Sequence, residues 1–211
     1  MSHAHRHGTL FIVAAPSGAG KSTLVNALLE REPDISLSIS HTTRPPRPGE
    51  SYGRHYYFVE RADFEREIAE GIFLEHAEVH GNLYGTSRTM VQELLSAGRD
   101  VLLEIDWQGA QQIRAKAECV SVFILPPSRA ELERRLRGRG SDAPDVIERR
   151  LRNSREEIAH AHEFDHILVN DDFEQALDEL QSIVHAVREG RGSAGDRHQV
   201  LIDELLDAGH G

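Results

Sequence analysis

A chain of 211 residues with 28% charged residues and a formal net charge of −11 has room for one domain with a substantial core, and its acidity makes it a poor general binder of nucleic acid, whose phosphates reward clustered positive charge. No apolar stretch approaches the ~20 residues that cross a bilayer, and the N-terminus MSHAHRHGTL has no long apolar segment of the secretory type. The single cysteine, Cys119, lies in an apolar run and reads as a small buried hydrophobe in a reducing, cytoplasmic setting.

In chain order, Leu10–Ala14 is fully apolar and reads as a buried strand, and Leu24, Val25, Leu28 and Leu29 follow at helical spacing. Ile35, Leu37 and Ile39 alternate with serines, as in a half-buried strand. Residues 41–54, rich in Pro, Gly, Arg and Thr, predict an irregular loop, and the aromatic and β-branched run Tyr56–Val59 a strand. Phe64 and Ile68 predict a short helix stopped near Gly71, and Met90, Val91, Leu94 and Leu95 another that ends near Gly98. Val101–Ile105 and Val120–Leu125 read as buried parallel strands. Ser128 and Glu131 predict a capping box. After a break at Gly138–Asp142, Pro144 fits the first turn of a helix through Ile147, Leu151 and Ile158. Ile167–Val169 is the last predicted strand. Asp172 and Gln175 then cap a helix with the stripe Phe173, Leu177, Leu180, Val184 and Val187. Residues 190–198 read as a linker and the last dozen as one short amphipathic helix. Strands alternating with helices imply an α/β fold with a largely parallel sheet.

The strongest local signal is AAPSGAGKST at 14–23, where a buried strand ends, a glycine-bearing turn follows and a helix begins. Ala15, Pro16, Ser17, Gly18, Ala19, Gly20, Lys21, Ser22 and Thr23 match the pattern GxxxxGK[ST] except that Ala15 replaces the first glycine. Such a loop turns backbone N–H groups towards an oxyanion and adds a favourable helix dipole. Lys21 would reach the β- and γ-phosphates of ATP and Ser22 would ligate Mg²⁺. Of the 24 basic residues only Lys21 and Lys116 are lysines, which makes a lysine in this loop notable. Val101–Asp106 adds an apolar strand ending in an acid, suited to holding a Mg²⁺-bound water; the same pattern also suits a helix cap.

A phosphate-binding loop identifies the donor and not the acceptor. Arginines gather around 44–54 and 129–155, and Arg44 and Arg47 lie where prolines restrict the backbone, as a phosphate monoester site would require. The stretch SISHTTRPPRPGESYGRHYYF at 38–58 resembles the monophosphate-binding segment of guanylate kinases. The similarity continues through FLEHAEVHGNLYGTS at 73–87, EIDWQGA at 104–110, RLRGRGS at 135–141 and ILVND at 167–171. The resemblance implies a P-loop NTPase-type parallel sheet flanked by helices, with a small GMP-binding subdomain and a lid. It spans 9–188, with a core of 9–40 and 86–188, a GMP-binding subdomain of about 41–85, a lid of about 129–152 and a tail from 189 to 211.

By that resemblance Arg44, Arg47, Tyr56 and Tyr84 hold the GMP phosphate, Ser40, Glu75 and Thr86 read the base, and Asp106 belongs to the same site. Arg135, Arg139 and Arg150 match the lid arginines and Asn170 the adenine-side contact. The chemistry agrees independently. One carboxylate accepts guanine N1–H and N2–H together, whereas adenine would set a lone pair against it. The acceptor phosphate has a second pKa near ~6, so no general base is needed; with the roles the resemblance implies, Lys21, Mg²⁺ and the lid arginines would stabilise the moving phosphoryl while Arg44 and Arg47 would align the acceptor.

The implied reaction is transfer of the γ-phosphate of ATP to GMP, giving GDP and ADP, in purine nucleotide metabolism, with no nucleic-acid or membrane partner. Oligomeric state and tolerance of dGMP stay open. A non-catalytic scaffold module of the same fold would be expected to have lost the loop lysine or the acceptor arginines. A P-loop GTPase would need an N-K-x-D-type motif, which lysines at 21 and 116 alone do not allow. Ser40, Glu75 and Thr86 speak against another nucleoside-monophosphate kinase.

Overall fold

The computed structural model describes residues 7–79, 81–138, 144–191 and 198–207. Along them run β1 (Leu10–Ala14), α1 (Lys21–Arg31), β2 (Ile35–Leu37), β3 (His41–Thr42), β4 (Tyr57–Phe58), α2 (Arg61–Ala69), β5 (Phe73–Val79), β6 (Asn82–Ser87), α3 (Arg88–Ser96), β7 (Asp100–Glu104), α4 (Trp107–Arg114), β8 (Val120–Leu125), α5 (Arg129–Arg137), α6 (Pro144–Ala159), β9 (His166–Val169), α7 (Phe173–Arg188) and α8 (Gln199–Leu206). One sheet has the order β2-β7-β1-β8-β9 and a second the order β4-β3-β6-β5. Two compact units divide the chain, Met1–Ile12 with Pro33–Val120 and Val13–Glu32 with Ser121–Gly211, and β1 contributes to both.

In the first unit β2 pairs parallel with β7, Ile35 opposite Asp100. The buried run predicted at Val101–Ile105 is β7, whose Val101, Leu102 and Leu103 are at most 1% exposed. The second sheet is built on the antiparallel hairpin of β5 and β6. Phe64, Phe73 and Leu83 form its small core with Val59 and Ile68 against it, and the Phe64 and Phe73 rings stack at 4.4 Å. Ser87 caps α3 by accepting from Met90 N. The irregular loop expected from residue 41 instead opens with β3, which pairs with both β4 and β6; two residues of strand are too few to show a period. Ile39 lies outside β2, which ends at Leu37. Cys119 is half-buried, not enclosed, because it lies in the irregular stretch just ahead of β8 and not within the strand.

In the second unit β8 and β9 pair in parallel from Val122–His166 to Leu125–Val169. The helix α1 buries Leu24, Val25 and Leu28, and α7 buries Ala176, Leu177, Leu180, Ile183 and Val184, as their apolar stripes require. Glu32, just past α1, accepts hydrogen bonds from Gln181, His185 and Arg188 of α7. Burial pushes its carboxyl up, but those three donors outweigh burial and bring it to about 2. Asp172 caps α7 through Gln175 N at 3.0 Å. Half of the predicted capping box forms at α5: Ser128 Oγ accepts from Glu131 N at 3.1 Å, while the Glu131 carboxylate turns to Arg134 and Arg135. Ion pairing wins over the reciprocal bond there because both arginines lie within one turn. The tail helix α8 buries Ile202 and Leu205, and Arg155 donates to the Leu206 carbonyl. Most of the expected linker, 192–197, and the N-terminal histidines His3 and His5 lie outside the described residues.

Candidate active site

The loop after β1 takes its shape from two glycines. Gly18 and Gly20 have φ of +95° and +93°, which L side chains rarely adopt. Ala15 has no positive φ, so alanine in place of the pattern's first glycine carries no strain. Ala19 N donates to Pro16 O at 3.1 Å, closing a tight turn over Ser17 and Gly18, and Ala19 itself has no exposed surface. No side chain caps α1, and its first turn holds no acid. The amide dipoles at that end therefore face no protein carboxylate from the helix itself, as an anion site needs. Lys21 is half-buried and Ser22 and Thr23 are exposed at the helix start.

Contacts from far along the chain hold this loop. Glu157 on α6 accepts from Ser17 N at 3.0 Å, and the Asn170 amide donates from Nδ2 to Ala19 O at 2.7 Å. A Cβ at Gly20 would sit 2.4 Å from that same Nδ2. Glu157 was missed from the sequence because a glutamate 140 residues away gives no local signal. Asn170, expected on the adenine side, has its side-chain nitrogen committed to the loop. Arg135 donates from Nε to Glu131 at 2.7 Å and from Nη2 to Asn170 O at 3.0 Å. Arg150 is half-buried on α6, and Arg139 lies outside the described residues.

In the other unit Thr42 and Thr43 staple the arginine loop to β6. Thr42 Oγ1 donates to Leu83 O at 3.0 Å, and Thr43 Oγ1 accepts from Leu83 N at 2.9 Å. Arg44 then donates from Nη2 to Glu50 at 2.9 Å, and its guanidinium lies 5.3 Å from the centre of the Tyr56 ring. The Tyr56 and Tyr84 rings meet edge to face at 6.0 Å. The hydrogen bond it donates to Glu50, together with one involving Tyr84, holds the Arg44 guanidinium above its ordinary value despite partial burial. Glu50 also accepts from Arg47 N at 2.7 Å, so one carboxylate positions both arginines of the motif, a role no spacing rule revealed. The Arg47 side chain remains exposed, and Ser40 is half-buried with its carbonyl on Tyr57 N.

Arg44, Tyr56 and Tyr84 are thus brought together, and so are the base-reading candidates Glu75 and Thr86. They face each other across β5 and β6, and Thr86 Oγ1 donates to Glu75 Oε1 at 2.6 Å. Glu75 is only 4% exposed. Burial pushes its carboxyl up to about 7, the nearby Asp106 charge adds to the rise, and the Thr86 bond and the Lys116 charge oppose it. Asp106 is also a helix cap: its Oδ1 accepts from Gly109 N at 2.8 Å at the start of α4. A buried carboxylate with one oxygen held and little water around it suits recognition of two adjacent N–H donors.

Comparison with known proteins agrees in extent. The family model described as guanylate kinase matches residues 7–187. The guanylate kinase of Alkalilimnicola ehrlichii is 59% identical over 200 residues, covering 94% of this chain and 97% of that protein. That of Escherichia coli K12 is 54% identical over 202 residues, covering 94% of this chain and 98% of that one. Among solved structures, the crystal structure of guanylate kinase from Anaplasma phagocytophilum superposes with a TM-score of 0.72 at 37% identity, covering 86% of this chain and 87% of that chain.

Proposed function

The chain belongs to the guanylate kinase family and transfers the γ-phosphate of ATP to GMP, giving ADP and GDP, and we propose that the residues gathered in its two units divide that work as donor and acceptor sites. On the donor side, the backbone of 15–23 cradles the ATP phosphates and Lys21 neutralises charge as the phosphoryl moves. On the acceptor side Arg44, Arg47, Tyr56 and Tyr84 hold the GMP phosphate, and Ser40, Glu75 and Thr86 read guanine. Segments 41–85 and 129–152 are read as GMP-binding subdomain and lid, with Arg135, Arg139 and Arg150 supplying charge to the transferred group. Asn170 keeps its oxygen for the adenine amine, since its nitrogen is engaged by the loop.

Among the described residues no cluster of three or more His, Cys, Asp or Glu could hold an ion by itself. Mg²⁺ needs no such cluster, because it binds largely through substrate phosphates with few protein oxygens. Ser22 offers a hard oxygen at the helix start, and Asp106 retains Oδ2 for a metal-bound water. Bound Mg²⁺ would offset charge on the β- and γ-phosphate oxygens. Among the described residues no helix is long and apolar enough to cross a membrane; a cytoplasmic setting, with access to ATP and GMP, is part of the proposal.

The observation that carries the guanine reading is the buried Glu75 carboxylate held by Thr86 at 2.6 Å. The test is ADP release from ATP with GMP, dGMP, AMP, UMP and dTMP as acceptors. Turnover with GMP and little with AMP is expected; equal rates with GMP and AMP would overturn the base-reading assignment.

A further inference from the structure

We infer that one face of α4 sets the guanine preference by fixing the irregularity in β5 that aims Glu75, which makes Gly109, Gln112 and Lys116 positioning residues for the base. This rests on the reading of Glu75 as the residue that accepts from guanine.

In the hairpin, Phe73 pairs with Ser87 and Glu75 with Thr86, and the register shifts between them, so Leu74 has no partner across the ladder. A bulge of this kind frees backbone groups and re-aims the neighbouring side chain. The Leu74 carbonyl is taken by Lys116, whose Nζ donates to it at 2.9 Å. On the far side of Glu75, Gln112 acts as a surrogate strand edge: its Nε2 donates to His76 O at 2.7 Å and its Oε1 accepts from His76 N at 3.2 Å. Because β5 is the outer strand of its sheet, those groups would otherwise face away from any ladder. The third contact is an absence of atoms. A Cβ on Gly109 would lie 2.8 Å from Glu75 Oε2 and 3.2 Å from its Cδ, so the carboxylate occupies the space left by a missing methyl.

Gly109, Gln112 and Lys116 follow one another by three and then four residues, the spacing of a single helix face. Lys116 N bonds to Ile113 O at 2.8 Å, which carries that face two residues past the end of α4. The other lysine of the chain, Lys21, belongs to the phosphate loop; Lys116 makes no ion pair among the described residues and spends its ammonium on one backbone carbonyl. The charged and polar groups around Glu75 are then Thr86 from β6, Asp106 at the start of α4 and Lys116 beyond its end, with Lys116 alone favouring the ionised carboxylate by charge.

The test uses the full chain and steady-state kinetics with GMP and with IMP, which lacks the 2-amino group that a carboxylate pairs with. Lys116→Met and Gln112→Ala should each raise KM for GMP about three- to tenfold and narrow the GMP/IMP ratio of kcat/KM in proportion, as expected for loss of one or two positioning hydrogen bonds, with KM for ATP changed by less than about twofold. Lys116→Arg, which keeps a donor and the charge, should restore most of the ratio. Gly109→Ala should narrow the ratio, because the added Cβ displaces the carboxylate it would meet at 2.8 Å, while the helix preference of alanine offsets part of the packing cost. If both Lys116→Met and Gln112→Ala keep the wild-type ratio while Glu75→Gln collapses it, α4 does not position the base reader and the inference fails with the guanine reading intact. Uniform loss with both acceptors together with a lowered melting temperature would reduce α4 to a scaffold and also overturn it. An unchanged ratio in Glu75→Gln would remove the guanine reading itself.

Discussion

The loop at 15–23 and the pocket around Glu75 are built by opposite means. The loop is contiguous and made of backbone, its curvature supplied by Gly18 and Gly20 at positive φ, with distant residues merely bracing it. The pocket is made of side chains from β5, β6 and the start of α4, and its chemistry depends on a carboxylate kept out of water. An anion shared among several N–H groups is insensitive to most side chains nearby but intolerant of added atoms in the turn. A base edge read by one carboxylate is sensitive to each atom of it. The comparison teaches that the loop breaks by addition, whereas the pocket breaks by subtraction of a reading group and tolerates addition no better where Gly109 leaves room for the carboxylate.

The largest expected effect is at a side chain of the loop, the ammonium proposed to act on the moving phosphoryl. Lys21→Ala should lower kcat by about 10³-fold or more, through loss of charge stabilisation in the transition state, with little change in melting temperature. ADP release measured at saturating ATP and GMP checks this, and near-normal turnover would take Lys21 out of the mechanism. Next, Glu75→Gln should cut the GMP/AMP ratio of kcat/KM by about 10²-fold, since an amide can no longer accept from both guanine donors.

The same variant sharpens the contrast through stability. The Glu75 carboxyl sits at about 7 in the folded chain against an ordinary 4.5. The folded state therefore keeps a proton that the unfolded chain has lost between those values. Its contribution to stability is fully present below 4.5 and is lost as pH rises through 7. Glu75→Gln removes that penalty, so it should melt higher than wild type at pH 8, by an amount bounded by roughly 3 kcal/mol, and equally at pH 4.5. A lower melting temperature at pH 8 would mean that the carboxylate is well solvated or otherwise compensated.

Adding one methyl group to the loop should do what subtraction does in the pocket. In Gly20→Ala the new Cβ meets Asn170 Nδ2 at 2.4 Å and the backbone must hold φ near +93°. KM for ATP should rise roughly tenfold, with a stability loss of about 1–3 kcal/mol, while KM for GMP stays near wild type. Equal effects on both substrates would break the comparison. The smallest effect is the pH dependence of GMP use. Lowering pH from 8 to 6 protonates Glu75, so kcat/KM for GMP should fall by up to about tenfold from this group alone. In Glu75→Gln that component should disappear, which separates it from titration of the substrate phosphate.

What could be read without coordinates was what is encoded within a few residues. The strand–loop–helix from Leu10 to Arg31, the caps Ser128 and Asp172 and the stripes of α1 and α7 each depend on neighbours in the chain, where backbone geometry leaves few choices. The motif residues Arg44, Tyr56, Tyr84, Glu75 and Thr86 were also legible as types. That Glu50 would grip both Arg44 and the Arg47 amide, that Glu157 would brace Ser17, and that Gln112 and Lys116 would hold the backbone on either side of Glu75 were not.

The difference lies in the physics of each. Local conformational preference is a property of the chain and is written residue by residue. Desolvation of Glu75, and the partners that oppose it, exist only once β5, β6 and α4 are packed, because burial and a hydrogen bond across 11 or more residues are properties of the folded arrangement. The sequence by itself determined which chemical groups were available and where the phosphate loop would turn. The tertiary structure decided that one glutamate would stand nearly dry beside a threonine, and in the proposed reading that dryness is what lets a single carboxylate discriminate between bases.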